Sequence, residues 1–154
     1  VEITYDMKSI LFICHGNICR SPMAEFIMKD MARKAGVALR VDSAAVSYEE
    51  EGNDIYPPAK RTLSGHGIPY GRHSAHRVTD AEASEYDVIV IMDSSNRRLL
   101  SRIISPMNMS KVHLMMEFAG KSSDVSDPWY SGDFEKAYSD ITEGCAGLLK
   151  SLMK

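Results

Sequence analysis

The stretch CHGNICRSP, residues 14–22, decides the fold prediction, together with the apolar run ILFI just before it. The run predicts a buried strand, which we place at Lys8–Cys14. Gly16 and Asn17 then tolerate turn conformations that other residues disfavour. From Ser21 onward the apolar residues recur at helical spacing, with a proline suited to a first helical turn. The stretch therefore predicts a strand, a tight loop and a helix in direct succession.

Further strands and helices are predicted to alternate along the rest of the chain. The other predicted strands are Leu39–Ser43, Tyr86–Met92 and Lys111–Met116, and the helices are residues 21–36, Pro57–Gly67, Asn96–Ile104 and Phe134–Met153. Tyr86–Met92 is apolar on both faces, which is typical of a parallel sheet covered by helices. The alternation indicates a doubly wound α/β fold, and the length of 154 residues fits a single domain spanning residues 1–154.

Composition argues against several classes of partner. The net charge is −3 and the isoelectric point is about 5.9, so we expect neither nucleic acid nor an anionic membrane as a partner. No apolar run is long enough for a membrane span, and we expect no signal peptide. Three cysteines are an odd number, which favours a reducing compartment, the cytoplasm. Their spacing does not form a zinc pattern, so we expect no metal.

Cys14 stands where a strand is predicted to end and a helix to follow. A helix N-terminus presents unpaired backbone N–H groups, which makes it a ready anion site. That field and Arg20 both favour the thiolate over the thiol, and Ser21 can donate a hydrogen bond to the sulfur. Arg20 also suits a bidentate grip on phosphate oxygens. We therefore interpret Cys14 as a nucleophile that faces a bound phosphoryl group, the alternative being an inert buried cysteine.

The chemistry also requires a proton donor, and the best candidate is Asp127 in SDPWYSGDF. Trp129 and Tyr130 follow it, and their aromatic side chains can form a wall of a pocket for an aryl substrate. The competing interpretation is an Asp-Pro turn with Trp129 in the core. Asp93 follows the strongest predicted strand, at the sheet edge where such folds place their sites. Capping of the next helix is the favoured interpretation for it.

Several blocks in order resemble the low-molecular-weight protein tyrosine phosphatases. The resemblance runs from about Ser9 to Leu149 and rests on CHGNICRSPMAE, VDSAAVS, HSAHRVT, YDVIVIMDSSN and DPWYSGDFEKAY. It implies a flavodoxin-like fold, with a four-stranded parallel sheet flanked by helices. It also implies phosphotyrosine hydrolysis through a phosphocysteine, with no metal and no cofactor. The partners implied are phosphotyrosine proteins, a tyrosine kinase among the candidates, and the expected state is a monomer with a weak dimer as the alternative.

The resemblance assigns roles to individual residues. It makes Cys14 the nucleophile, Arg20 the phosphate ligand, and Asp127 the general acid and later the base. Ser43 and His73 match positions that brace the asparagine of the phosphate loop. The remaining members of that loop are His15, Gly16, Asn17, Ile18, Cys19 and Ser21. The resemblance also implies that Cys19 forms a reversible disulfide with Cys14 under oxidation.

Two positions depart from the family. His15 stands where an aliphatic residue is usual, and it either adds positive potential near the nucleophile or points to solvent. Glu49 stands where mammalian members carry tryptophan at the pocket rim, so Tyr48, Trp129 and Tyr130 are predicted to supply the aromatic rim. The acidic segment SYEEEGN either repels acidic phosphopeptides or is a solvated loop, and the solvated loop is favoured.

Three other functions fit the sequence less well. An arsenate reductase needs further cysteines downstream, and Thr79–Asn96 contains none. The phosphoarginine phosphatases carry threonine where Ile18 stands. A phosphotyrosine-binding module without catalysis does not need the nucleophile, arginine and acid that are all present here.

Overall fold

The computed structural model describes residues 7–153. Residues 1–6 and 154 lie outside the described range. The expectations of a single domain over residues 1–154 and of no signal peptide therefore fall partly on residues outside it. The strands are β1 Lys8–Cys14, β2 Leu39–Ala45, β3 Val88–Ile91 and β4 Val112–Leu114. The helices are α1 Arg20–Ala35, α2 Pro57–Gly65, α3 Asp80–Ala83, α4 Ser94–Leu100, α5 Pro106–Met109, α6 Pro128–Ser131 and α7 Phe134–Leu152, with a 3₁₀ helix over Met115–Ala119.

The four strands form one parallel sheet in the order β2-β1-β3-β4. This confirms the predicted α/β class and the four-stranded parallel sheet. Two strands are shorter than predicted. β3 ends at Ile91, and β4 ends at Leu114 because the 3₁₀ helix takes over the chain. Because β1 lies between β2 and β3, the strand order reverses beside its carboxyl end, which is where doubly wound sheets hold their ligands.

The side chains of β1 alternate between two cores, one on each face of the sheet. Ile10, Phe12 and Cys14 belong to the core under α1 and α7. Leu11 and Ile13 belong to the core on the other face, with residues of β3 and α4. This period-two alternation places the Cys14 side chain on the face that α1 covers. The loop between β1 and α1 is therefore anchored at both ends in buried structure.

The long helices agree with the predictions, whereas the short ones were missed. α1, α2, α4 and α7 were all predicted, although α4 begins two residues earlier and ends four residues earlier than expected. The helices α3, α5 and α6 have four residues each, too few to show an apolar period. α7 packs closely on the 3₁₀ helix, since a Cβ on Gly147 would lie 1.9 Å from the Phe118 carbonyl oxygen. Among residues 7–153, no helix has the length and apolar character needed to cross a membrane.

Candidate active site

Cys14 is the last residue of β1, and its sulfur lies at the bottom of a cleft of about 130 Å³. Two donors point at the sulfur. The backbone N–H of Asn17 donates to Sγ at 3.3 Å, and Ser21 Oγ lies 3.0 Å from Sγ. The Ser21 hydroxyl already accepts a hydrogen bond from Asn17 Nδ2 at 2.8 Å, so its own proton is available to the sulfur. Both donors can bind a negatively charged sulfur, and both come from the loop that the sequence predicted.

The loop turns at Asn17, which is the one non-glycine residue with positive φ among residues 7–153 (φ 61°). Hydrogen bonds hold both its side chain and its backbone. Asn17 Nδ2 also donates to Ser43 Oγ at 3.0 Å, and Oδ1 accepts from the His76 N–H at 3.3 Å. His73 Nε2 lies 2.6 Å from the Asn17 carbonyl oxygen. The structure thus places Ser43 and His73 against the loop asparagine, and it adds His76 to the set.

A buried carboxylate completes the bracing of the loop. Ser43 Oγ donates to Glu25 Oε1 at 2.6 Å, and Lys29 Nζ donates to Glu25 Oε2 at 2.6 Å. Glu25 is nine-tenths buried, and Lys29 neutralises it one helical turn further along α1. Glu25 is not among the site residues predicted from the sequence. No local signal marks Glu25, because it lies opposite the predicted apolar face of the helix and its partner Ser43 is 18 residues away along the chain.

Arg20 opens α1, and its guanidinium is almost completely buried in the cleft wall. Nη1 donates to Asp93 Oδ2 at 2.7 Å and to the Val125 carbonyl oxygen at 2.8 Å, and Nη2 lies 3.3 Å from Asp127 Oδ2. Burial alone would lower the pKa of Arg20. The negative charges of Cys14, Asp127 and Asp93 more than offset that effect and raise the pKa. Arg20 therefore carries a fixed positive charge beside the sulfur.

Asp93 performs two tasks with its two carboxylate oxygens. Oδ1 accepts from the Asn96 N–H at 2.8 Å and caps α4, as the favoured interpretation expected. Oδ2 accepts from Arg20, so the residue also orients the guanidinium in the cleft. The sequence suggested both possibilities and favoured the first. Capping is a local pattern, whereas the contact with Arg20 spans 73 residues of sequence.

Asp127 lies across the cleft from the sulfur-bearing loop and caps α6, where Oδ1 accepts from the Trp129 N–H at 3.0 Å. Trp129 is half exposed and Tyr130 is largely exposed, and both line the cleft. The Trp129 ring packs against Tyr56, with 4.8 Å between ring centroids. Trp129 is thus a wall residue and not a core residue. The structure brings Cys14, Arg20 and Asp127 together around one cleft.

Cys19 and Ile18 also line the cleft, each nearly buried. Burial, followed by the nearby charge of Cys14, raises the pKa of the Cys19 thiol far above its usual value. Cys19 is therefore protonated at neutral pH, which leaves Cys14 as the candidate nucleophile of the pair.

The rim differs from the predicted aromatic set. His15 and Glu49 both line the cleft, and His15 Nε2 lies 3.1 Å from Glu49 Oε2. His15 therefore meets a carboxylate on the rim. Tyr48 does not line the cleft, because its ring lies under the Arg77 guanidinium and its hydroxyl accepts from Arg77 Nη1 at 2.9 Å. Trp129 and Tyr130 form the aromatic side of the mouth without Tyr48, and Glu49 faces them on the acidic side.

Comparison with known proteins gives a consistent result. The family model described as low molecular weight phosphotyrosine protein phosphatase matches residues 9–154. A low molecular weight protein-tyrosine-phosphatase of Bacillus subtilis is 36% identical over 152 residues, which covers 96% of this chain and 97% of that protein. The human low molecular weight phosphotyrosine protein phosphatase is 35% identical over 150 residues, covering 93% of this chain and 94% of the human protein.

Solved structures agree in fold over almost the whole chain. The crystal structure of the Bacillus subtilis protein superposes with a TM-score of 0.92 at 35% identity and covers 97% of this chain and 96% of that one. The crystal structure of a Drosophila arginine phosphatase superposes with a TM-score of 0.87 at 29% identity and covers 96% and 99%.

Proposed function

The chain belongs to the low molecular weight phosphotyrosine protein phosphatase family, and on that premise we propose that it hydrolyses phosphotyrosine through a covalent phosphocysteine at Cys14. One observation carries the proposal: the sulfur receives two hydrogen-bond donors from its own loop, while a fully charged Arg20 and the carboxyl group of Asp127, the proposed proton donor, share its cleft. Such a site stabilises an anionic nucleophile and an anionic substrate group together.

The proposed reaction has two steps. The Cys14 thiolate attacks phosphorus in line with the phenolic oxygen, and Asp127 donates its proton to that oxygen as the P–O bond breaks. The tyrosine side chain leaves, and phosphate remains bonded to sulfur. Asp127, now a carboxylate, accepts a proton from a water molecule that attacks phosphorus. The S–P bond then breaks, which releases inorganic phosphate and regenerates the thiolate.

Arg20 and the loop amides are proposed to bind the three non-bridging phosphate oxygens. A guanidinium presents two parallel N–H donors, which suits the planar arrangement of oxygens in the transition state. Because Asp93 and the Val125 carbonyl fix its position before substrate arrives, little reorganisation accompanies the chemical step. Among residues 7–153 there is no cluster of three or more potential metal ligands, and no step of this mechanism uses a metal.

The substrates are proposed to be phosphotyrosine side chains of proteins, a tyrosine kinase among the candidates, and small aryl phosphates. Support comes from the aromatic side of the mouth and from Ile18, an apolar residue in the cleft wall. We also propose a cytoplasmic location, supported by the free thiols Cys14, Cys19 and Cys145. The monomeric state and the single domain over residues 1–154 stay predictions.

The test is hydrolysis by the wild-type protein in reducing buffer that contains EDTA. p-Nitrophenyl phosphate, a phosphotyrosine peptide and phosphoarginine are compared by their kcat/KM values. We expect both aryl phosphates to be hydrolysed with EDTA present, and phosphoarginine at least about tenfold more slowly, because Ile18, Trp129 and Tyr130 line the cleft and suit an aryl group. Faster turnover of phosphoarginine would assign the chain to arginine dephosphorylation, and inactivity towards all three substrates would refute the catalytic proposal.

A redox-protected nucleophile is a further part of the proposal. Peroxide oxidises the Cys14 thiolate to a sulfenic acid, and attack by Cys19 then forms a disulfide and releases water. Because burial keeps Cys19 protonated, we expect this closure to be slow. After a peroxide pulse, dithiothreitol should restore most of the wild-type activity but much less of the Cys19→Ser activity. Equal recovery of the two proteins would show that Cys19 does not protect the nucleophile.

A further inference from the structure

The acidic segment beside the cleft, residues 47–53, is a built part of the mouth. Its first residue is tied to the phosphate loop, since Ser47 donates to the His15 carbonyl oxygen from its backbone N–H at 3.2 Å and from its hydroxyl at 3.0 Å. Its far end forms two backbone hydrogen bonds with Ala75, from Gly52 and to Asn53, each of 2.8 Å. These hydrogen bonds hold the backbone of the segment beside the cleft at both ends.

The segment also packs directly on the phosphate loop. A Cβ on Gly16 would lie 3.2 Å from Glu50 Cγ, so these two parts of the chain are in contact. The Glu50 carboxylate accepts from Asn53 Nδ2 at 2.7 Å and so stays beside the mouth. Glu50 and Glu49 both line the cleft. The mouth therefore carries two glutamates in the same cleft as the nucleophile.

Glu49 is the group that a bound peptide would meet. Its side chain is 69% exposed, and only Oε2 contacts His15. Among the residues that the structure describes, no donor contacts Glu49 Oε1. Arg77, which lies beside the segment, is engaged by the ring and hydroxyl of Tyr48 and does not line the cleft. One carboxylate oxygen thus faces solvent at the edge of the cleft.

The opposite side of the mouth also favours a positively charged residue of the peptide. Trp129 and Tyr130 line it and expose large parts of their rings, and the face of an aromatic ring attracts a lysine or arginine cation. A basic residue next to phosphotyrosine would meet a carboxylate on one side and a ring on the other. An acidic residue would meet repulsion at Glu49 and Glu50, and among the described residues Arg20 is the only lysine or arginine that lines the cleft.

We propose that Glu49 determines specificity at this mouth, and that the enzyme prefers phosphotyrosines flanked by lysine or arginine over those flanked by glutamate or aspartate. The inference rests on the proposed phosphatase function and names its substrate class. Screening confines the effect to the residues adjacent to the phosphotyrosine, because charges in solution interact weakly beyond about 8 Å at physiological salt.

The test compares two phosphotyrosine peptides that differ only in the two residues next to the phosphotyrosine, lysine in one and glutamate in the other. We expect wild-type kcat/KM to favour the lysine peptide about fivefold at low salt, and the ratio to fall towards unity at high salt. Glu49→Gln should lower the ratio about twofold, and Glu49→Lys should bring it to unity or reverse it. Glu85→Gln removes the same charge beyond the opposite, amino-terminal edge of the sheet, and should leave the ratio unchanged.

The outcomes separate this inference from the proposed function. Wild-type hydrolysis of p-nitrophenyl phosphate establishes catalysis independently of any flanking residue. If that activity is present and the two peptides react within about twofold of each other, the specificity proposal is overturned and the phosphatase proposal stands. A ratio that Glu49→Lys leaves unchanged overturns it as well, because the selectivity then lies elsewhere. Absence of p-nitrophenyl phosphate hydrolysis overturns both proposals.

Discussion

Cys14→Ser is expected to lower kcat for p-nitrophenyl phosphate by at least about 10⁴-fold. The reason is the set of groups around the sulfur. The Asn17 N–H and the Ser21 hydroxyl both donate towards it, and no base within hydrogen-bond distance among the described residues accepts a proton from it. A cysteine sulfur is intrinsically nucleophilic, whereas an alcohol needs an adjacent general base to become a nucleophile. The measurement is steady-state phosphate release with EDTA present.

A folding control accompanies this prediction. Cys145 is buried in α7, away from the cleft, and Cys145→Ala should retain activity within a few-fold of wild type. Cys14→Ser should still bind inorganic phosphate, seen as a rise of Tm with phosphate concentration, because Arg20 and the loop amides are intact. Retention of more than about a tenth of the wild-type kcat by Cys14→Ser would exclude the covalent mechanism.

Asp127→Ala is expected to lower kcat/KM by about 10²- to 10³-fold for phenyl phosphate, and by no more than about tenfold for p-nitrophenyl phosphate. Phenolate is a poor leaving group that requires a proton as the P–O bond breaks, whereas nitrophenolate leaves readily without one. The second step also loses its base, so phosphocysteine should accumulate. A burst of nitrophenolate equal to the enzyme concentration would show that accumulation directly.

The dependence on leaving group separates two roles of Asp127. Its carboxylate also contacts Arg20, at 3.3 Å, so its loss could act only by displacing the guanidinium. In that case both substrates would be slowed equally, and the role as general acid would be refuted. Asp124→Ala supplies the matched control. Asp124 is an exposed carboxylate in the same loop, and its removal should change neither rate by more than about twofold.

The strands and helices predicted correctly from the sequence are those that are marked by residues within the element or next to it. The strand into Cys14, the turn at Asn17 and the start of α1 follow one another within a few residues, and each has its own residue signals. Long amphipathic helices such as α7 show several apolar periods. The four-residue helices show none, and their starts depend on single capping side chains such as Thr79 and Ser105.

The parts that sequence reasoning missed are long-range contacts. The bond from Ser43 to Glu25 and the bond from Arg20 to Asp93 join different elements, and neither is visible in the pattern of one segment. Tyr48 is also placed by a long-range contact that its own segment does not show. Its position beside Glu49 suggested the rim, but Arg77 from a distant segment holds its ring away from the cleft. Side-chain direction in a loop is set by such partners and not by spacing along the chain.

The hydrogen bonds behind the nucleophile also fix where each proton can point. Lys29 donates to the Glu25 carboxylate and holds it in place. The Ser43 hydroxyl donates its proton to that carboxylate, so its lone pairs accept from Asn17. The Asn17 amide then places both of its protons on serine oxygens, and the last free proton, that of Ser21, is directed to the sulfur. No hydroxyl in this series can rotate without losing a bond. These hydroxyls therefore lose their rotational entropy when the protein folds, and they lose no more of it when the transition state forms.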